Sequence, residues 1–309
     1  MLSENSTIRA LFDSAGLHEP GTDTARVVVH GNRVIGSRLV RGLDVDARET
    51  ADGIEADISV RVGARIETPI HMCFGMLPET GKQHIVLRVR MGKGAAASIL
   101  AHCVFPNALD ITHSMDAEIE VGDGADYSYF ERHVHGREGG VLVLPKARVR
   151  VGENARFKTE FELIKGRVGM IDVDYETYVG PGGVLEMVAR ISGRGNDRIR
   201  IGETGILDGE GSRGVLKSHI ALRDRAKADV HNRLVANAAY ARGHVDCKEI
   251  VQDEASASAI PIVEVNHPKA HVTHEASIGS VDSKQLETLM ARGLTEDDAV
   301  ERIIRGLLS

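Results

Sequence analysis

The chain has 309 residues, 42% apolar and 27% charged, which allows a sizeable buried core and excludes intrinsic disorder. Thirty-eight basic residues against 45 acidic ones leave a net charge of -7, so nothing electrostatic favours nucleic acid as a partner. Aromatic residues make up only 4%, Trp is absent and glycines number 33. That composition is poor for stacking sugars or bases and natural for a repetitive fold with many tight turns.

Residues 1–10 lack the basic, apolar, then small layout of a secretory signal. No apolar run approaches the roughly 20 residues needed to cross a bilayer, so no membrane association is expected. Residues 6–15 carry Ile8, Leu11 and Phe12 at helical spacing and stop at Gly16, which predicts a short amphipathic helix. Residues 1–54 are read as this helix and a cap region.

A repeat of about thirty residues follows. Val60-Arg61-Val62-Gly63, Val89-Arg90-Met91-Gly92, Ile119-Glu120-Val121-Gly122, Val149-Arg150-Val151-Gly152 and Thr177-Tyr178-Val179-Gly180 each run into a glycine, at spacings of 29, 30, 30 and 28. Three of the turns read Gly-x-(Gly or Asn)-Ala, where Gly or Asn tolerates positive φ. The alternation puts Val60, Val62, Val89, Met91, Ile119, Val121, Val149 and Val151 on one face and charged residues on the other. Such a unit cannot bury its apolar face alone, whereas stacked units share a continuous core. Leu222-Arg223-Asp224-Arg225-Ala226 and Val251-Gln252-Asp253-Glu254-Ala255 repeat 29 residues apart, shifted by half a period. The fold expected is mainly β, a parallel β-helix over residues 55–265 with about seven turns rising roughly 4.8 Å each.

After Pro268 the alternation fades. Residues 283–292 place Leu286, Leu289 and Met290 on one helical face and stop at Gly293. Thr295, with Asp298 three residues on, opens a second helix whose stripe is Val300, Ile303, Ile304, Leu307 and Leu308. Residues 266–309 thus form a C-terminal helical region.

The chemistry-bearing residues are few. Cys73, Cys103 and Cys247 are odd in number and without CxxC spacing, so they form no disulfide framework or closed zinc site, and a reducing, cytoplasmic location is expected. Gly75-Met76-Leu77-Pro78-Glu79-Thr80-Gly81-Lys82-Gln83 has one residue too many between its glycines and Gln83 in the Mg²⁺-ligand position, so it is no phosphate loop. Cys73, Cys103 and His133 lie 30 residues apart and would stack on adjacent turns. A buried ladder is the reading for the two cysteines, with His133 open. In a strand, Val245, Cys247, Glu249 and Val251 share one face, and a carboxylate on an apolar face needs a partner. His271-Val272-Thr273-His274-Glu275 follows soon after.

That C-terminal sequence resembles a known family. His271-Val272-Thr273-His274-Glu275-Ala276-Ser277, Asp282-Ser283-Lys284-Gln285-Leu286, Met290-Ala291-Arg292-Gly293-Leu294 and Ile304-Arg305-Gly306, preceded by Pro261-Ile262-Val263-Glu264-Val265, are similar to the C-terminus of the SufB/SufD scaffold proteins of SUF iron–sulfur cluster assembly. The resemblance is clear over residues 240–309 and weaker through the repeats. It implies a right-handed parallel β-helix flanked by helices, and a scaffold without enzyme activity of its own. Its implied partners are an ABC-type ATPase, SufC, on the C-terminal helices and iron–sulfur acceptor proteins. The short chain resembles a minimal form in which one SufB-like protein makes a homodimer.

The resemblance also implies a ligand set, with departures. The SufB assembly cysteine falls within residues 253–258, where this chain has Ala255, and Thr273 stands where the family has an acidic residue; His274 and Glu275 match. Cys247 with Glu249 is the best substitute, and the expected metal ligands are Cys247, Glu249, His274 and Glu275. They would hold a transient iron–sulfur cluster, expected as [4Fe–4S], shared across a two-fold axis. Leu294, Val300, Ile303 and Ile304 are the expected ATPase contacts. The alternatives are a β-helix carbohydrate lyase or hydrolase, which lacks its usual aromatic platforms, and a metal-free adaptor of an ATPase.

Overall fold

The computed structural model describes residues 3–16 and 24–308. Helix α1 (Glu4–Ala15) is capped by Ser3, whose hydroxyl accepts from the Ser6 N–H, and closed by Gly16 at φ 70°. Two antiparallel pairs follow: β1 (Arg26–His30) with β2 (Arg33–Arg38), and β3 (Leu43–Glu49) with β4 (Gly53–Val60). The chain then continues through β5 (Ile70–Gly75), β6 (Thr80–Met91), β7 (Ala96–Phe105), β8 (Asp110–Val121), β9 (Asp126–His135), β10 (Val141–Val151) and β11 (Arg156–Lys165). Strands β12 (Gly169–Val179), β13 (Val184–Gly193), β14 (Arg198–Leu207), β15 (Arg213–Leu222), β16 (Lys227–Ala236), β17 (Arg242–Val251), β18 (Ser256–Val265) and β19 (His271–Gly279) complete the sheets. Odd-numbered strands from β5 onward extend β1–β2 into a 10-stranded sheet, and even-numbered ones from β4 join β3 in a 9-stranded sheet. The result is a parallel β-solenoid of about eight turns where the repeat predicts about seven; it is mainly β with a short N-terminal helix and two C-terminal helices, as expected.

The local cause is visible along each strand. In β10 the burial alternates strictly, with Val149 and Val151 inside and Arg148 and Arg150 outside. The inward side chains of both sheets form one continuous core from Ala25 to Cys247. At one corner Gly94 (φ 64°), Gly124 (φ 65°), Asn154 (φ 52°) and Gly182 (φ 62°) occupy the left-handed region turn after turn, which is why Gly or Asn recurs there. The half-period shift of the later repeat has a simple origin. Leu222 pairs with Val251 at the ends of β15 and β17 in the 10-stranded sheet, whereas the glycine turns follow strands of the 9-stranded one.

The register corrects three expectations. Val60, not Val62, pairs with Met91, so Val62 lies beyond the strand end and is 75% exposed. Cys73 pairs with His102 and Phe74 with Cys103, so the 30-residue spacing does not stack the two cysteines. A one-residue offset reverses the face: Cys73 packs outside the solenoid under Ile8, Leu11 and Phe12 of α1, while Cys103 lies in the interior core. Finally, β19 continues the sheet where the alternation fades, because a terminal strand has only one paired neighbour and most of its residues remain exposed.

Helices α2 (Ser283–Met290) and α3 (Glu296–Leu307) follow. The Asp282 carboxylate accepts from the Gln285 N–H, and the Thr295 hydroxyl accepts from the Asp298 N–H, so each helix has a side-chain cap. They fold back onto the outside of the 10-stranded sheet, where Val300, Ile304 and Leu308 bury against Ala221 and Val281, with Ile164 and Ile250 alongside. Ion pairs of Arg194 with Glu301, and of Arg223 with Asp297 at 2.9 Å, fix α3 to the corners after β13 and β15.

Candidate functional site

Strands β18 and β19 end the two sheets, so this end of the solenoid is open. One turn below it, Cys247 and Glu249 of β17 both face inward and are buried, at 0% and 3% exposure. Parallel pairing keeps partners on the same face. His274 pairs with Val245 and so belongs to the inward face, whereas Glu275 pairs with Asp246 on the outward face. Ala276 lies over Cys247. The structure thus brings Cys247, Glu249 and His274 to one face and sets Glu275 on the other; His274 and Glu275 are both exposed.

The electrostatics at this end are those of uncompensated burial. Desolvation pushes the Cys247 thiol up to about 12, helped by the charges of Glu249, Glu203 and Asp246, while an Asn232 Nδ2 contact at 3.8 Å opposes it. Burial, and then Asp246, raises Glu249 to about 7. Neither Glu249 carboxyl oxygen has a hydrogen-bond partner among the described residues. A buried carboxyl without partners is costly unless it stays protonated or meets a cation. Asp246, by contrast, is paired on the outside with Lys248 at 3.2 Å and lies 3.5 Å from His219.

Polar groups continue inward from Cys247. Asn232 Nδ2 also donates to Ser218 Oγ at 2.6 Å. Glu203, raised to about 8 by burial, is close enough for its charge to act on both Cys247 and Tyr175. Tyr175 in turn feels Glu131 and Cys103. At this deep end Cys103, His113, Glu131 and His133 each present one donor atom, all within 4.8 Å of one another and all buried. Burial holds His113 and His133 down to about 3, and raises Glu131 and Cys103 above their ordinary values.

The SUF system FeS cluster assembly SufBD core domain matches residues 78–307. The chain belongs to the SufBD family. Among its SufBD relatives, an iron–sulfur cluster assembly SufBD family protein of Methanocaldococcus jannaschii is 38% identical over 283 residues, covering 92% of this chain and 90% of that protein. One from Pyrococcus horikoshii is 35% identical over 288 residues, covering 93% and 88%. One from Archaeoglobus fulgidus is 25% identical over 247 residues, covering 80% and 66%. Iron–sulfur cluster assembly is therefore the process in which this SufBD chain takes part.

Val300 and Ile304 are buried against the solenoid, while Leu294 and Ile303 remain half-buried. His113 and Glu131 escape the sequence reading, although a signal existed. Glu131 shares the inward parity of Tyr127, Tyr129 and His133 in β9, the same argument that singles out Glu249. His113 shares the parity of Ile111 and Met115 in β8.

Proposed function

We propose that the chain is a scaffold on which an iron–sulfur cluster is assembled and from which it passes to acceptor proteins, driven by a separate ABC-type ATPase of the SufC kind. The observation that carries this reading is the buried pair Cys247 and Glu249, with His274 on the same face, at the open end of the solenoid in a SufBD chain. A thiol is the preferred cluster ligand and a carboxyl a weaker one. Such a mixed site suits a protein that must release its cargo, here proposed as a transient [4Fe–4S] cluster.

One chain offers too few ligands, so the reading includes a homodimer. The outer edges of β18 and β19 present unpaired backbone donors and acceptors, and Ile260, Ile262, Val265 and Ile278 are exposed there. A two-fold contact across this end would bring two Cys247–Glu249 pairs together, with His274 and Glu275 at the seam. Because Cys247 lies under Ala276, the last turn must yield for a cluster to reach it. The ATPase would dock on α2 and α3 through Leu294 and Ile303, with Val300 and Ile304 anchoring the pair to the solenoid. The free, buried state of all three cysteines suits a reducing cytoplasm.

Anaerobic reconstitution of the chain with its ATPase tests the reading. The expected product is a cluster-bearing species with two scaffold chains by light scattering, and Cys247→Ser should lose most of its iron and sulfide. Full loading of a folded Cys247→Ser protein, or a cluster on a scaffold monomer, would refute it.

A further inference from the structure

The deep end of the polar column is built unlike the rest of the interior. Cys103, Glu131 and His133 come from adjacent strands of one sheet, since Cys103 pairs with His133 and Ala101 with Glu131. His113 arrives from β8 in the opposite sheet, its ring centroid 5.8 Å from that of His133. Three donors on one wall and a fourth facing them is the arrangement that encloses a tetrahedral ion. A tetrahedral zinc-type site has donor-to-donor spacings of roughly 3.3 to 3.7 Å. Here Cys103 Sγ lies 3.7 Å from Glu131 Oε1, and Glu131 Oε1 lies 2.7 Å from His133 Nε2. Opening the second contact by about 0.6 Å, with small rotamer shifts, reaches that geometry.

The hydrogen bonds around the cluster dictate where its lone pairs point. His135 Nδ1 lies 3.2 Å from the Arg167 carbonyl oxygen, which can only accept, so Nδ1 carries the hydrogen. In the neutral ring His135 Nε2 is therefore an acceptor, and it faces His133 Nδ1 at 3.1 Å. That contact makes His133 Nδ1 the donor and leaves His133 Nε2 a bare lone pair, aimed at Glu131 Oε1. Two acceptors at this distance need a proton or a cation between them. Glu131 Oε2 and His113 Nδ1, in fully buried side chains, have no hydrogen-bond partner among the described residues. A histidine ligand usually donates its other ring N–H to an acceptor that fixes its tautomer, and His135 Nε2 takes that place for His133.

We propose that Cys103, His113, Glu131 and His133 form a mononuclear site for a divalent zinc-type cation, zinc or ferrous iron, inside the solenoid and separate from the cluster-building end. On binding, the thiol of Cys103 and the shared proton of the Glu131–His133 pair leave as two protons. One thiolate, one carboxylate, two neutral imidazoles and the dication then sum to zero charge, which a buried interior tolerates. All four ligands are buried, so the ion would enter as the chain folds. It would tie β7, β8 and β9 together across the two sheets.

The test is metal content and spectroscopy on the full chain, produced anaerobically with zinc, ferrous iron or cobalt supplied during expression and then washed with chelator. In Cys247→Ser, which should carry no cluster, about one equivalent of metal per chain without sulfide is expected, and wild type should hold the same equivalent beside any cluster iron and sulfide. The cobalt form should show tetrahedral ligand-field bands and a thiolate charge-transfer band that Cys103→Ser loses. Glu131→Gln is the decisive variant, since its amide N–H can still donate to His133 Nε2 while it cannot supply a carboxylate. Its unfolding curve in chelator should overlay that of wild type, and its metal retention should fall at least about ten-fold. Comparing zinc with iron retention identifies the ion. The proposal is overturned by no chelator-resistant metal in wild type, by undiminished metal in Glu131→Gln, or by a charge-transfer band that follows Cys247 instead of Cys103. Metal accompanied by stoichiometric sulfide in Cys247→Ser would also overturn it, since that marks a cluster and not a lone ion.

Discussion

Replacing Glu203 with Gln should flatten the dependence of stability on pH. Glu203 is 2% exposed, and burial raises its carboxyl from 4.5 to about 8. The folded chain therefore keeps a proton that the unfolded chain gives up, and the associated stability is complete below 4.5 and lost as pH rises through the folded value. For these two values, going from about pH 6 to about pH 9 removes about 2.5 kcal/mol from the wild type. Gln has nearly the same shape and cannot titrate, so the variant loses none of this. Glu249 titrates in the same direction, but it is present in both proteins and cancels in the difference. Guanidinium unfolding of both proteins in chelator, at several pH values, gives the difference directly. On a chain of this length the same change amounts to about 4 °C in melting temperature. A wild type-minus-variant difference that stays constant within about 0.5 kcal/mol across that range would show that Glu203 is ionised in the fold, and the account of the interior column would fail.

Two further outcomes follow from the packing. Ile304→Ala should weaken the seating of α3 by about 2 to 4 kcal/mol, because Ile304 is 2% exposed against Ala221 and Val281; hydrogen exchange should rise in α2 and α3 while β7 to β15 stay protected, and equal loss everywhere would contradict the separate cluster. Asp224 sits at φ 59° and its carboxylate accepts from the Gly195 N–H at 2.7 Å, so Asp224→Ala should cost about 2 kcal/mol and Asp224→Gly about 1 kcal/mol less. Equal losses by denaturant melts would mean that backbone strain plays no part at this corner.

Much of the solenoid is legible along the chain because its causes are local. Alternation decides which side chains of β10 or β12 turn inward. A recurring Gly or Asn supplies positive φ at many of the corners, and Thr295 with Asp298 marks the start of α3 wherever the helix comes to lie. The inward parity of Cys247 and Glu249 is likewise a property of one strand. What parity cannot supply is register between turns, because corner lengths vary by one or two residues. The offset from β5 to β7 is 29 and from β7 to β9 is 30. That single residue sends Cys73 outward beneath α1 and leaves Cys103 inside beside His133. Contacts across the interior are further removed still from any linear spacing. His113 meets Cys103, Glu131 and His133 only because the 9-stranded sheet closes over the 10-stranded one, and Val300 and Ile304 reach Ala221 only because the last helix folds back. Strand polarity is written residue by residue, whereas the meeting of distant strands depends on how every intervening corner turns.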